Sequence, residues 1–259
     1  MFGLIALMYG ISLLPEHKSL WFILAGILAV SAFIKWEARV DYPVFDLSLF
    51  LKNRVFAFSS LAALIHYSAT FAVTFLLSLY LQHIKALSPQ NAGLVLITQP
   101  IIQVVCSPFA GRLSDRVEPQ IVASLGLSFT ALGLFLFIFL TPGTGMPLII
   151  GNLMILGFGF ALFASPNSNA IMSSVEKRFF GLASGSAGTT RLLGMMISMA
   201  IATLVFNLFI GRVQITPEVH QGFMTSLKYA YVIFTLLCCG GIFASMVRGK
   251  LRPGGSVVP

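Results

Sequence analysis

Eight runs of nearly unbroken apolar sequence divide the chain, at residues 2–14, 20–34, 55–80, 91–110, 121–141, 147–165, 181–210 and 224–247. A helix that crosses a bilayer needs about 20 such residues, since each adds about 1.5 Å toward about 30 Å of hydrocarbon. Within lipid every backbone N–H and C=O must find its partner inside the protein, and runs this long satisfy that only as helices. The runs therefore predict an all-α polytopic membrane protein. The first is short, begins at Met1 and reads as the end of a spanning helix. The third and seventh exceed the bilayer and must tilt or project beyond it.

Composition supports the same solvent. Only 9% of the 259 residues are charged, against about 25% in soluble domains, which is too few to cover a water-facing surface. The net charge of +8 would suggest nucleic acid in a soluble protein, but the cations here sit in short connections rather than in a basic patch with interleaved aromatics. Eleven of the sixteen Lys and Arg fall in alternate connections and the tail (35–54, 112–116, 177–178, 248–252), and four fall on the other side. Cytoplasmic loops carry such an excess, so both termini are expected in the cytoplasm of a plasma-membrane protein. Cys106, Cys238 and Cys239 lie in apolar runs and read as packing residues. No CxxC, HExxH, GxSxG or Walker pattern occurs, and no cleavable leader precedes the first run. An enzyme, a metal site and an organic cofactor are all unexpected.

The runs fall into two groups. Residues 1–34 hold two helices, and residues 35–54 form a polar linker whose second half, "VFDLSLFL", has an interfacial character. Residues 55–247 hold six spans, and residues 248–259 form a cytoplasmic tail.

The connection "SPFAGRLSDRVEPQ" (107–120) places Arg112, Asp115, Arg116 and Glu118 together between two spans. Gly111 offers backbone freedom and close approach. Asp115, shortly before the next run, is placed to interact with the positive end of its helix. Together Gly111, Arg112, Asp115 and Arg116 suggest a charge latch, made in one conformation and broken in another. "GRLSDRVEPQ" resembles the Gly-x-Leu-x-Asp-Arg signature of the major facilitator superfamily, found between the second and third helices of each six-helix half. Here it follows the second span of the six-span block, with Glu118 where the family usually has Gly, as in a degenerate second-half copy. "SPQNAGLVLITQP" and "FASPNSNAIMSSVEKRFFGLASGSAGTTRLLG" are similar to the fourteen-helix drug:proton antiporter branch. The resemblance implies that residues 1–34 are that branch's two inserted helices and residues 55–247 its C-terminal half. It also implies a partner, an N-terminal six-helix half carrying the proton-binding carboxylates.

Ionisable groups inside a bilayer tend to mark solute or proton routes. His66 lies mid-span, followed at helical spacing by Thr70 and Thr74, with Tyr67 beside it. Arg191 lies some ten residues inside the seventh run. Gln99 and Gln103 share a helical face beside Pro100, whose ring frees a backbone carbonyl. His66, Thr70, Thr74, Gln99, Gln103 and Arg191 are the candidate substrate or proton pathway, against the plainer reading of interhelical packing. Ser165, Pro166, Asn167 and Asn169 read as the end of the sixth run. Gly181, Gly185, Gly194 and Ser198 are small residues at four-residue spacing, suited to close helix packing.

The expected function is transport of small molecules, by resemblance proton-driven efflux of drugs or other apolar or cationic compounds through alternating access. Transport of another metabolite is the alternative, and a non-transporting membrane scaffold a second. The partners expected are the small-molecule substrate, protons, the lipid bilayer and the N-terminal half, without nucleic acid.

Overall fold

The computed structural model describes residues 2–13, 17–37, 53–211, 219–247 and 249. The polar linker from residue 38 to 52 and nearly all of the tail lie outside them. The described residues form helices and no strand: α1 (Phe2–Ser12), α2 (His17–Glu37), α3 (Arg54–Leu79), α4 (Pro89–Leu96), α5 (Thr98–Arg116), α6 (Pro119–Phe137), α7 (Met146–Ser173), α8 (Phe180–Phe209) and α9 (His220–Val247). A π-helical turn, Tyr80–Ile84, extends α3. Six helical units are long and apolar enough to cross a membrane, with α4 and α5 counting as one.

Local chemistry sets the ends. Asn53 caps α3, its side-chain oxygen accepting from the Phe56 N–H, and Ser88 caps α4 with Pro89 as first helical residue. Pro119 and Pro147 likewise open α6 and α7, where a missing N–H costs nothing. The break between α4 and α5 falls at Ile97, three residues before Pro100, whose ring displaces the carbonyl four residues earlier. Two expectations change. The "GRLSDR" stretch is helical, α5 running on to Arg116, so the connection shrinks to Val117 and Glu118. Pro166 does not end the sixth span; α7 passes through it to Ser173. Once backbone groups are in lipid, continuing the helix through one lost hydrogen bond is cheaper than unwinding.

Small residues decide which helices touch. A Cβ on Gly126 of α6 would lie 2.5 Å from the Phe163 nitrogen, and one on Gly159 of α7 would lie 2.8 Å from the Thr130 nitrogen. These two helices therefore meet backbone to backbone. On its other side α7 packs on α5, where a Cβ on Gly157 would strike the Gln99 carbonyl oxygen at 2.5 Å. Helix α9 fills the space between α3 and α6. Cys238 donates to the Leu127 carbonyl, Ser124 donates to Ser245, and Gly241 lies against Ile65. The main core joins α3, α6, α7 and α9 through buried Leu, Phe and Tyr side chains.

The six spans differ in how much of them is covered. More than half of the most apolar window of α3 and of α6 is buried, but only 6% of that in α4–α5 and 22% of that in α8. The α1–α2 hairpin, closed by Gly3, Gly10 and Gly26 at backbone contact, touches α8. Most of α2 remains exposed.

Candidate functional site

Two side chains from neighbouring helices meet near the middle of their spans. Tyr67 on α3 lies thirteen residues inward of Arg54, and Arg191 on α8 lies thirteen residues inward of Arg178, about 20 Å in each case. The Arg191 guanidinium lies over the Tyr67 ring, 5.1 Å from its centroid, a geometry in which the ring face attracts the cation. The helices approach this closely because Gly194 has no side chain; a Cβ there would sit 2.7 Å from the Leu64 carbonyl oxygen and 2.8 Å from the Tyr67 Cβ. Tyr67 is half-buried and Arg191 exposed. Asp115 and the other acidic residues lie outside the apolar cores of the six spans, and among the described residues no carboxylate is paired with this arginine.

His66 faces the other way, into the bundle. Its ring is fully buried, with centroids 4.5 Å from Phe160 and 4.2 Å from Phe163 on α7. Neither ring nitrogen has a hydrogen-bond partner among the described residues. Thr70 is also buried and donates to the His66 carbonyl at 2.7 Å, whereas Thr74 is exposed. The row expected from 66, 70 and 74 therefore does not form one surface. Each four-residue step advances about 400°, so eight residues rotate the side chain about 80°.

The remaining sequence candidates are more scattered. Gln99 and Gln103 are half-buried on α5, which packs on α7, and their side-chain amides bond no other described residue. Gly194 and Ser198 are buried against α3. Gly181 and Gly185 have open space where a side chain would stand, so in this chain they pack against nothing. Gly111 is helical and half-buried, and a Cβ there would make only ordinary contact with Ser165. Neither special backbone angles nor close approach requires it to be glycine. Arg112, Asp115 and Arg116 stand on exposed faces of the last turns of α5. Asp115 thus lies near the negative end of its own helix, not before the start of the next. Ser114 ties this segment down, donating to the Gly111 carbonyl and accepting from Asn169 of α7 at 3.4 Å.

Sequence reasoning missed the aromatic row on α3. Tyr67, Phe71 and Phe75 recur at four-residue spacing, with Phe71 44% and Phe75 43% exposed, and Phe75 meets Phe206 of α8. The spacing was visible; what concealed it is that phenylalanines facing lipid, core and solute look alike in a chain this apolar.

Comparison with known proteins names the kind of bundle these helices form. A profile of the Major Facilitator Superfamily matches residues 59–256. The chain belongs to that superfamily. It is similar to the riboflavin transporter RibZ of Clostridioides difficile, with 33% identity over 68% of this chain and 38% of RibZ. It is also similar to the multidrug efflux pump LfrA of Mycolicibacterium smegmatis, with 26% identity over 71% of this chain and 36% of LfrA. A crystal structure of a mutant nucleoside transporter, NupG, shares the fold with a TM-score of 0.59 at 17% identity, covering 93% of this chain and 63% of that one. The chain is therefore a multi-pass membrane protein of this superfamily, and it spans less than half the length of these curated relatives.

Proposed function

We propose that this chain is the C-terminal half of an exporter of apolar, drug-like small molecules that works by alternating access and is driven by protons. The observation that carries the reading is the unequal burial of its spans. Helices α5 and α8 are long and apolar yet largely uncovered, while α3 and α7 hold the core. A partner of six helices laid against α5 and α8 would cover them and enclose the mid-membrane layer around Tyr67 and Arg191. Similarity to LfrA, a multidrug efflux pump, supports export of drugs. The lack of Asp and Glu in the apolar cores of the six spans supports placing the proton-binding groups in the partner half.

The charges support one end of the bundle as the cytoplasmic side. Arg54, Arg116 and Lys177 lie at one end of the bundle, where the Asn53 side chain bonds the Ser174 carbonyl and the Gln120 side chain bonds the Met246 carbonyl. That end carries the basic excess, which supports a cytoplasmic position in the cell membrane. A second reading, uptake or release of a metabolite, is favoured by similarity to RibZ, a riboflavin transporter.

Everted membrane vesicles holding this chain together with a six-helix N-terminal half test the proposal. Imposing an inward-acid gradient should drive accumulation of an uncharged lipophilic dye, and a protonophore should abolish it. Accumulation of riboflavin but no dye would favour the second reading, and accumulation of neither would sink the first.

A further inference from the structure

We propose that the Arg191–Tyr67 pair is the anchor for an anionic group on an aromatic solute, so that this half of the carrier selects aromatic anions and neutral molecules over cations. The inference rests on the reading that α3 and α8 border the solute path. It adds the sign of the solute charge.

The argument begins with what the arginine lacks. A guanidinium about 20 Å from the basic end of its helix sits near the centre of the hydrocarbon, where an uncompensated charge is costly. Tyr67 covers one face of it, but a ring offers no hydrogen-bond acceptor to the N–H edge. No described residue supplies one, and the apolar cores of the six spans hold no Asp or Glu. Among the described residues, then, nothing provides a counter-charge. An arginine held over a ring and without an acceptor among the described residues keeps N–H donors to offer, and a guanidinium can take a carboxylate, sulfonate or phosphate through two parallel hydrogen bonds.

The second part is the surface beside it. From Tyr67 the exposed rings of Phe71 and Phe75 run along α3, and Phe206 of α8 adds a fourth ring at the far end. Each step of four residues moves about 6 Å along the helix. A row of apolar rings with a cation at one end matches a molecule with an aromatic body and an acidic head. Ring faces attract cations too, but a cation laid along this strip would bring its charge against Arg191, with no acidic residue in the layer to offset the repulsion.

Two probes with the same ring test the sign: naphthalene-1-sulfonate and 1-naphthyltrimethylammonium, titrated against the 259-residue chain in detergent and again with the N-terminal half present. The sulfonate should bind at least about tenfold more tightly, the size of one charge-assisted hydrogen bond. Arg191→Gln should erase the preference at unchanged helix content, Arg191→Lys should keep its direction, and Phe71→Ala should weaken both probes alike. Equal binding of the two probes, or a preference that survives Arg191→Gln, overturns the proposal. So does sulfonate binding that disappears when the N-terminal half is added, because Arg191 is then an ion-pair partner of that half. Should Arg191→Gln fail to fold, loss of the preference in Arg191→Lys overturns it instead. Export of an uncharged dye is measured separately: its failure removes the export reading, whereas the probe ratio bears on the anchor alone.

Discussion

The Ser198 hydroxyl on α8 accepts a hydrogen bond from the backbone N–H of Ala72 on α3, 2.9 Å away and fully buried. A helix rarely offers a mid-span N–H to a neighbour, and a serine fits the narrow gap because Gly194 one turn earlier has already brought the backbones together. Ser198→Ala should cost the chain about 0.6–2 kcal/mol, the range of interhelical hydrogen bonds in membranes. Ser198→Val adds volume where none is free and should cost more. Thermal unfolding of the two variants in one detergent checks the order; equal losses would show that the hydrogen bond contributes little beside packing.

Two glycines on the same helix should respond in opposite directions. At Gly194 an added Cβ collides with the backbone of α3, so Gly194→Ala should destabilise by about 1–3 kcal/mol. At Gly185 nothing lies within 4 Å, so Gly185→Ala should raise stability by about 0.5–1 kcal/mol through helix propensity alone. Gly185→Leu then separates chain from assembly: the purified chain should tolerate it, while transport by the assembled carrier should fall if a helix of the N-terminal half packs on that strip. Unaltered transport with leucine at 185 would place the partner elsewhere.

These glycines also show what the sequence could and could not reveal. The existence of the spans and most of their ends were legible because lipid forces apolar runs into helices, although α5 and α7 run well past the ends of their runs, to Arg116 and Ser173. Which face packs was not, since Leu and Phe serve equally against lipid and against protein. The contacts are written instead in small and polar residues, such as Gly126 opposite Phe163 and Asn152 donating to the Gly133 carbonyl. Their partners lie on other helices and follow no local spacing. The same blindness hid the α3 aromatic row. Pro166 and the "GRLSDR" segment misled for a different reason: prolines and charges usually end helices in water, but α7 and α5 continue where unwinding would strand backbone groups.

Asp115 offers a trade between stability and turnover. A carboxylate in the last turn of α5 opposes the helix dipole, at about 0.3–1 kcal/mol. Asp115→Asn removes that opposition, and vesicle transport should fall severalfold if the residue acts as a conformational latch. A lower unfolding temperature with normal turnover would make it a structural residue and end the latch hypothesis.

The His66 ring can be tested by taking away its nitrogens and keeping its shape. It lies between Phe160 and Phe163 with neither nitrogen bonded by a described residue, and burying an unpaired polar atom costs about 1–3 kcal/mol. His66→Phe replaces those atoms with carbon in a pocket already walled by rings. As pure packing, the change should hold or raise stability and leave the pH profile of transport untouched. If the imidazole carries a proton during the cycle, the same substitution should flatten that profile and slow gradient-driven export, with passive exchange of solute preserved. Measuring unfolding, pH-dependent export and exchange on one preparation distinguishes the two, because packing alone gives histidine no means to alter how transport responds to pH.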